Sequence, residues 1–357
     1  MDERGQISAP GALEAGTTVV PDEARVPEQP LAELAGLHGL RLSGARPTLR
    51  AYLAALWQRR HFIIGYATAR NVSMYTEAKL GQVWQVLTPL LNSLVYYLIF
   101  GVLFSASKGV ANYPAFLITG VFVFAFSERS IVTGSNVMRA NLQLIRALYF
   151  PRASLPLAYV IVELQQMMVG LVVLVAIMLA SQQYPSWYWF LLIPAVFLQT
   201  LFNTGAALIV ARMGGSLADV SELIPFFLRI SRYFCGVMYL VITLPIHNLP
   251  GWVAKVLSLN PFAVFIQLVR VAFMSSYRTN SAGNKPYNYQ LCQRFLKDPG
   301  GKHMEAGHLV SNANLQAYCH AIVTNNDLWI AAVGWGVGFF VIGLVFFWQA
   351  EHKYGRG

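Results

Sequence analysis

The sequence predicts an all-α integral membrane protein with six transmembrane helices and an N-terminal interfacial amphipathic helix. Re-entrant half-helices and a small extracytoplasmic insert come before the last span. Three observations lead there. Of 357 residues, 56% are hydrophobic and 12% charged, where a soluble protein has roughly a quarter charged, so the chain needs lipid as its solvent. Six apolar stretches, 84–106, 114–135, 156–181, 187–211, 222–243 and 328–349, each reach the ~20 residues that cross a bilayer as a helix. Basic residues gather in alternate connections: Arg139, Arg146 and Arg152 follow the second stretch and Arg212 the fourth, while the loops after the first and third offer Lys108. By the positive-inside rule both termini are expected in the cytoplasm.

Each element has its own signal. Residues 1–48 are rich in Ala, Pro, Gly and Glu and hold no apolar run of the kind a signal peptide needs, which predicts a disordered cytoplasmic tail. In the segment 49–79, Leu49, Leu53, Leu56, Trp57, Ile63, Ile64 and Ala67 recur near helical spacing, with Arg50, Gln58, Arg59 and Arg70 between them. This suits a helix lying in the membrane interface; a soluble amphipathic helix packed on another domain is the alternative. The membrane domain, 80–274, tolerates Pro89, Gly120, Gly170, Pro194 and Gly205 within its spans, because neighbouring helices re-satisfy freed backbone groups and small residues permit close approach.

Residues 244–274 are apolar but interrupted by Pro245, Pro250 and the Asn260-Pro261 pair. Asn260 as N-cap with Pro261 at the first helical position starts a new helix. The segment therefore reads as two half-helices that enter the membrane and return, an outer gate at Pro245, Asn260 and Pro261. A seventh span at 251–274 is the alternative. Residues 275–327 are polar and predict an extracytoplasmic insert, in which Cys292 and Cys319 either pair as a disulfide or remain free. Residues 328–357 complete the sixth span and a cytoplasmic C-terminus.

Composition also limits function. The formal charge of +10 is accounted for by cytoplasmic loops facing anionic lipid, and no basic aromatic groove or zinc spacing supports nucleic-acid binding. The sequence contains no GxxxxGK[ST]; its Gly301-Lys302 pair lies in the polar insert, so this chain is not expected to hydrolyse ATP alone. HExxH and nucleophile-elbow signatures are missing, and His247, His303, His308 and His320 lack metal-ligand spacing. No catalytic residue, metal or bound cofactor is expected. Charged residues inside spans are costly, which singles out Glu128, Arg129, Glu163, Arg229 and Arg232. They either neutralise one another, Arg129 with Glu163 for example, or meet an anionic ligand.

Three stretches together carry a family resemblance. Leu80-Gly81-Gln82-Val83-Trp84 leads into Leu87-Thr88-Pro89 and then Tyr97-Leu98-Ile99-Phe100-Gly101. Asn141-Leu142-Gln143-Leu144-Ile145 is followed by Phe150-Pro151-Arg152 and Leu155-Pro156-Leu157. Leu244-Pro245 and Leu259-Asn260-Pro261 stand before the insert. In this order they resemble the permease subunits of type-2 ABC exporters, in the branch that exports O-antigen, teichoic acid and cell-wall galactan. The long insert with the Ala/Arg/Pro-rich tail is most similar to the actinobacterial galactan exporters.

The resemblance implies a homodimer of this chain in a bacterial plasma membrane, joined by two ATP-binding subunits that hold the ATP and Mg. A lipid-linked polysaccharide is the implied cargo. It also implies an ATPase-coupling helix at Asn141, Leu144, Ile145, Arg146, Phe150, Pro151 and Arg152. Trp84, Tyr96, Tyr97 and Phe100 would line the channel, and Arg129, Glu163, Arg229 and Arg232 would meet a lipid pyrophosphate or form an internal charge cluster. Lipid and drug exporters share the fold. An ion-coupled carrier and a membrane-embedded glycosyl or acyl transferase are rival readings, for which the sequence offers neither an inverted repeat nor converging acidic residues.

Overall fold

The computed structural model describes residues 48–74, 80–104, 112–148, 150–238, 256–277, 304–305, 308–309 and 325–350. The amphipathic segment forms two helices, α1 (Leu49–Gln58) and α2 (Arg60–Ser73), broken at Arg59. The Thr48 hydroxyl caps α1 by accepting from the Ala51 N–H at 3.4 Å. Tyr52, Leu56, Ile63 and Ala67 face the bundle, whereas Leu53, Trp57 and Ile64 are turned outward. Arg60 lies over the Trp57 ring at 5.2 Å. The pair thus has one side packed on protein and an apolar-plus-basic side free, as a helix in the interface requires.

Five helices among the described residues are long and apolar enough to cross a membrane: Trp84–Leu103, Tyr113–Ala140, Ser154–Ala180, Trp187–Ser216 and Asn326–Ala350. The first joins α3 (Trp84–Tyr96) to a seven-residue π segment, Tyr97–Leu103. Pro89 inside α3 removes one backbone donor, and the Ser93 hydroxyl donates to the Pro89 carbonyl at 2.7 Å. α4 (Tyr113–Ala140) is the most buried of the five and packs against α3, α6 (Ser154–Ala180) and α7 (Leu192–Ser216). A short helix, α5 (Leu142–Ala147), follows α4.

The expected span 222–243 takes a different form. α8 (Ala218–Phe234) has 17 residues, roughly 25 Å at the α-helical rise, short of a ~30 Å hydrocarbon core. Asp219, Glu222, Pro225, Arg229 and Arg232 make it less apolar than the other spans, and the chain leaves the helix through Cys235 and Gly236, the latter at φ 70°. That left-handed conformation is the ordinary glycine end of a helix. Residues 239–243 of the expected span lie outside the described residues. α9 (Pro261–Phe273) has 13 residues, and the helix is interrupted at Leu259 and Asn260, so the described residues 256–274 are not the one continuous helix that a seventh span at 251–274 requires. Residues 304–305 and 308–309 pair as a minimal antiparallel ladder, while Cys292 and Cys319 lie outside the described residues.

The last span, α10 (Asn325–Ala350), lies directly on α7. A Cβ added at Gly205 would run into the Phe339 main chain, and one at Gly343 into Gly205. Gly134 approaches Ala207 somewhat less closely, with a Cβ there 3.0 Å from the Ala207 Cα. Small residues let membrane helices touch backbone to backbone, where dispersion replaces the hydrophobic drive that lipid does not supply. Gly205→Ala should therefore lower the Tm in detergent by several degrees, consistent with the ~1–3 kcal/mol of overpacking. Gly334→Ala, where the added carbon meets nothing within 4 Å, is expected to leave it unchanged; equal Tm values for the two variants would contradict the packing.

Candidate functional site

Three groups of side chains on or around α4 organise the molecule. The first is the corner where α4 turns into α5. Asn141 is buried and its carboxamide is fully engaged: it accepts from the Tyr66 hydroxyl at 2.9 Å and donates to the Val137 carbonyl at 2.7 Å and the Tyr159 hydroxyl at 3.0 Å. Burial, then the neighbouring Tyr159, raises the Tyr66 phenol above its ordinary pKa, so it stays protonated and able to donate. Arg70 lies over the Tyr159 ring at 4.3 Å, and the Ala153 N–H donates to the Tyr52 hydroxyl at 3.2 Å.

One corner therefore ties α1, α2, α4 and α6 together. Leu144, Ile145 and Phe150 pack inward beside it. Leu142, Gln143, Arg146 and Leu148 are exposed, Leu148 by 52%. The apolar residues of this segment are thus split: Val137, Leu144 and Ile145 anchor it, while Leu142 and Leu148 face outward with Arg146. Pro151 and Arg152 are half-buried.

The second group is a charged seam through the middle of the bundle. Glu128 and Arg129 are adjacent on α4 and therefore point about 100° apart. Arg129 pairs with Glu163 of α6, Nε to Oε2 at 3.1 Å. Glu128 pairs with Arg232 of α8, whose other terminal nitrogen donates to the Tyr96 hydroxyl of α3 at 2.7 Å. The Arg232 guanidinium also lies 5.3 Å from the Phe124 ring centre. The sequence-derived cluster is therefore two separate neutral pairs, and Arg229 stands apart, exposed on α8.

The aromatic residues expected along a channel lie partly within the packing. Tyr96, Tyr97 and Phe100 are half-buried against the core, with Tyr97 6.2 Å from the Tyr113 ring. Trp84 is exposed. The outward stripe of the first span is aliphatic: Leu91, Leu94, Leu98 and Val102.

The third group surrounds α9. The Asn260 side chain accepts from the Phe262 N–H at 3.0 Å, with Pro261 at the first helical position, the arrangement the Asn-Pro pair predicts. Trp335 of α10 donates to the Leu259 carbonyl at 2.9 Å. Pro245 lies outside the described residues. Sequence reasoning passed over Arg270, which is fully buried in α9; a lone charge in an otherwise uncharged helix was the available signal.

The Arg129–Glu163 pair is open to a simple check. Glu163→Leu leaves Arg129 without its partner and should destabilise the protein by about 2 kcal/mol, below the full cost of breaking a buried pair because Arg129 is one-third exposed. Adding Arg129→Met should restore most of the Tm. Additive losses in the double variant would show that the pair is not coupled.

Comparison with known proteins gives these groups a context. A family described as "ABC-2 type transporter" matches residues 64–274. The chain is 27% identical over 202 residues to the O-antigen export system permease protein RfbA of Klebsiella pneumoniae, covering 56% of this chain and 75% of that protein. It is 24% identical over 225 residues to the RfbA permease of Myxococcus xanthus, covering 62% and 81%. Against the polysialic acid transport protein KpsM of Escherichia coli it is 24% identical over 208 residues, covering 56% and 76%. With the match spanning more than half of its length, the chain belongs to the ABC-2 type transporter family, as one of its membrane transport subunits.

Proposed function

We propose that this chain is the membrane subunit of an ATP-driven exporter that moves a lipid-pyrophosphate-linked polysaccharide, of the O-antigen or galactan kind, to the outer face of a bacterial plasma membrane. The observation that carries the reading is the family match over the membrane domain, with relatives named for O-antigen export and polysialic acid transport. Two copies of the chain would work with two ATP-binding subunits that hold the ATP and Mg, both termini of each copy in the cytoplasm. Teichoic acid, lipid or drug cargo is the alternative on the same fold.

Two surfaces support the assembly. The outward stripe of the first span and the exposed Leu223, Phe226, Phe227 and Ile230 of α8 are on helices that the Arg232–Tyr96 hydrogen bond links. An apolar face of this extent suits a second copy. At the other end, α5 offers Leu142, Arg146 and Leu148 on a corner that the Asn141 bonds make rigid, which suits docking to the ATP-binding subunit. Cys292 and Cys319 would pair in the outer insert.

For the cargo, the geometry divides the two arginines of α8. Arg232 is already neutralised by Glu128, whereas Arg229 is exposed and is the better partner for a pyrophosphate, whose oxygens a guanidinium meets in pairs.

Pairing Arg146→Glu with Leu148→Asp should weaken recovery of the ATP-binding subunit by at least about tenfold, the effect of removing hot-spot contacts, while the membrane domain itself remains folded. Undiminished recovery would remove α5 as the docking site. Arg229→Gln should lower surface polysaccharide with the complex intact, and Arg232→Gln should lower the amount of folded protein because Glu128 loses its partner. The reverse assignment would overturn the division of roles.

A further inference from the structure

The guanidinium of Arg270 is completely buried, and its partners are main-chain carbonyls. Nε and Nη2 donate to the Phe116 carbonyl at 3.3 and 3.1 Å, Nη1 to Gly236 at 2.9 Å and Nη2 to Val237 at 2.9 Å. The plane lies 3.4 Å from the Phe116 ring centre. Among the described residues no carboxylate pairs with it. Gly120 leaves the space it occupies, since a Cβ there would sit 2.6 Å from Nη2. The next carbonyl, Met238, accepts from the Tyr113 hydroxyl at 2.8 Å. Three successive carbonyls, 236 to 238, are each taken by a side chain from another element.

These carbonyls lie just beyond the C-terminus of α8, where the unpaired carbonyls of a helix concentrate negative charge. That field stands in for the missing acid. The solution is still a costly one in a membrane, where an apolar joint of similar volume would hold two helices at lower cost. What a flat fork of donors adds is direction: it fixes α4, the end of α8 and α9 to one another at a single point. Arg270 and Tyr113 thus hold residues 236–238, and Trp335 holds the Leu259 carbonyl just before α9. All of this lies at the end of α4 remote from the basic connection 139–152.

We propose that Arg270 is a positioning residue for transport: it locks the far end of α8 to α9 so that the two move as one body, and passage of the cargo depends on that lock while assembly and ATP turnover do not. The inference rests on the export reading above. Lys offers a point charge that cannot serve Phe116 and the 236–237 turn together. Gly120→Ala keeps the arginine but its Cβ would displace Nη2 and press on the Val237 carbonyl, 3.0 Å away, and Tyr113→Phe removes the Met238 contact.

The test uses the full complex with its ATP-binding subunit, measuring recovered complex, ATP hydrolysis and surface polysaccharide in parallel. Arg270→Lys and Gly120→Ala should each reduce polysaccharide exported per ATP hydrolysed by about tenfold, as expected for losing a hydrogen bond to a charged group, with recovery and hydrolysis largely kept. Tyr113→Phe should give a smaller loss of the same kind. Export that falls only in proportion to recovered complex, or export unchanged in all three variants, would overturn the lock while leaving the export reading intact. Absence of ATP-dependent export by the unmodified complex would sink the export reading itself, before any variant is compared.

Discussion

Lipid offers no hydrogen bonds, so the polar groups that the bundle buries depend on partners within the protein, and most have them, Gln85 and Asn203 being exceptions among the described residues. That constraint explains most of the specific structure. Hydroxyls along the spans return to their own helices, as Thr119 does to the Ala115 carbonyl at 2.7 Å and Ser130 to Phe126 at 2.8 Å. Gln199 of α7 donates to the Val123 carbonyl and the Ser127 hydroxyl of α4 at 2.9 and 3.0 Å. Charges are handled in two ways: Arg129 and Arg232 are matched by acids, and Arg270 by carbonyls at a helix end.

Nearly all of these ties end on α4. Its C-terminal corner is pinned through Asn141, its middle sends Glu128 to α8 and Arg129 to α6, and its first turns carry Phe116 and Gly120 against Arg270. With 28 residues it is one uninterrupted helix, roughly 42 Å long. A movement imposed on α5 at one end therefore has a stiff element through which to reach α8 and α9 at the other. The glycine contacts of α7 with α10 form a second body packed against it. Under the proposed function, docking at α5 and passage beside α9 would be joined by this one helix.

Much of this was legible in the sequence because it rests on strong, local signals. Five long apolar stretches became spanning helices, and Asn260-Pro261 opened α9 through the cap it predicts. The Arg129–Glu163 pairing followed from the cost of charge in lipid. Other features depend on partners that a linear pattern does not show. The break at Arg59 is set by how α1 and α2 meet the bundle, and α8 is shortened by its Gly236 turn. Tyr97 and Phe100 lie in a π segment, which turns less per residue than an α-helix, so a face counted at 3.6 residues drifts away from the side it is expected on. Arg270 was hidden for a related reason: its acceptors are main-chain atoms of residues 116, 236 and 237, which every sequence has.

The central claim, that this chain passes a polysaccharide across the membrane at the expense of ATP hydrolysed by a separate subunit, is tested most directly by reconstitution. The tagged protein would be purified in mild detergent, its co-eluting chains identified, and the complex placed in liposomes with a lipid-linked glycan on the ATP-accessible side. The account predicts a stoichiometric partner with a nucleotide-binding loop and transfer of glycan to the opposite face that requires ATP. Transfer by this chain alone, or an intact complex that hydrolyses ATP without moving any glycan, would contradict it.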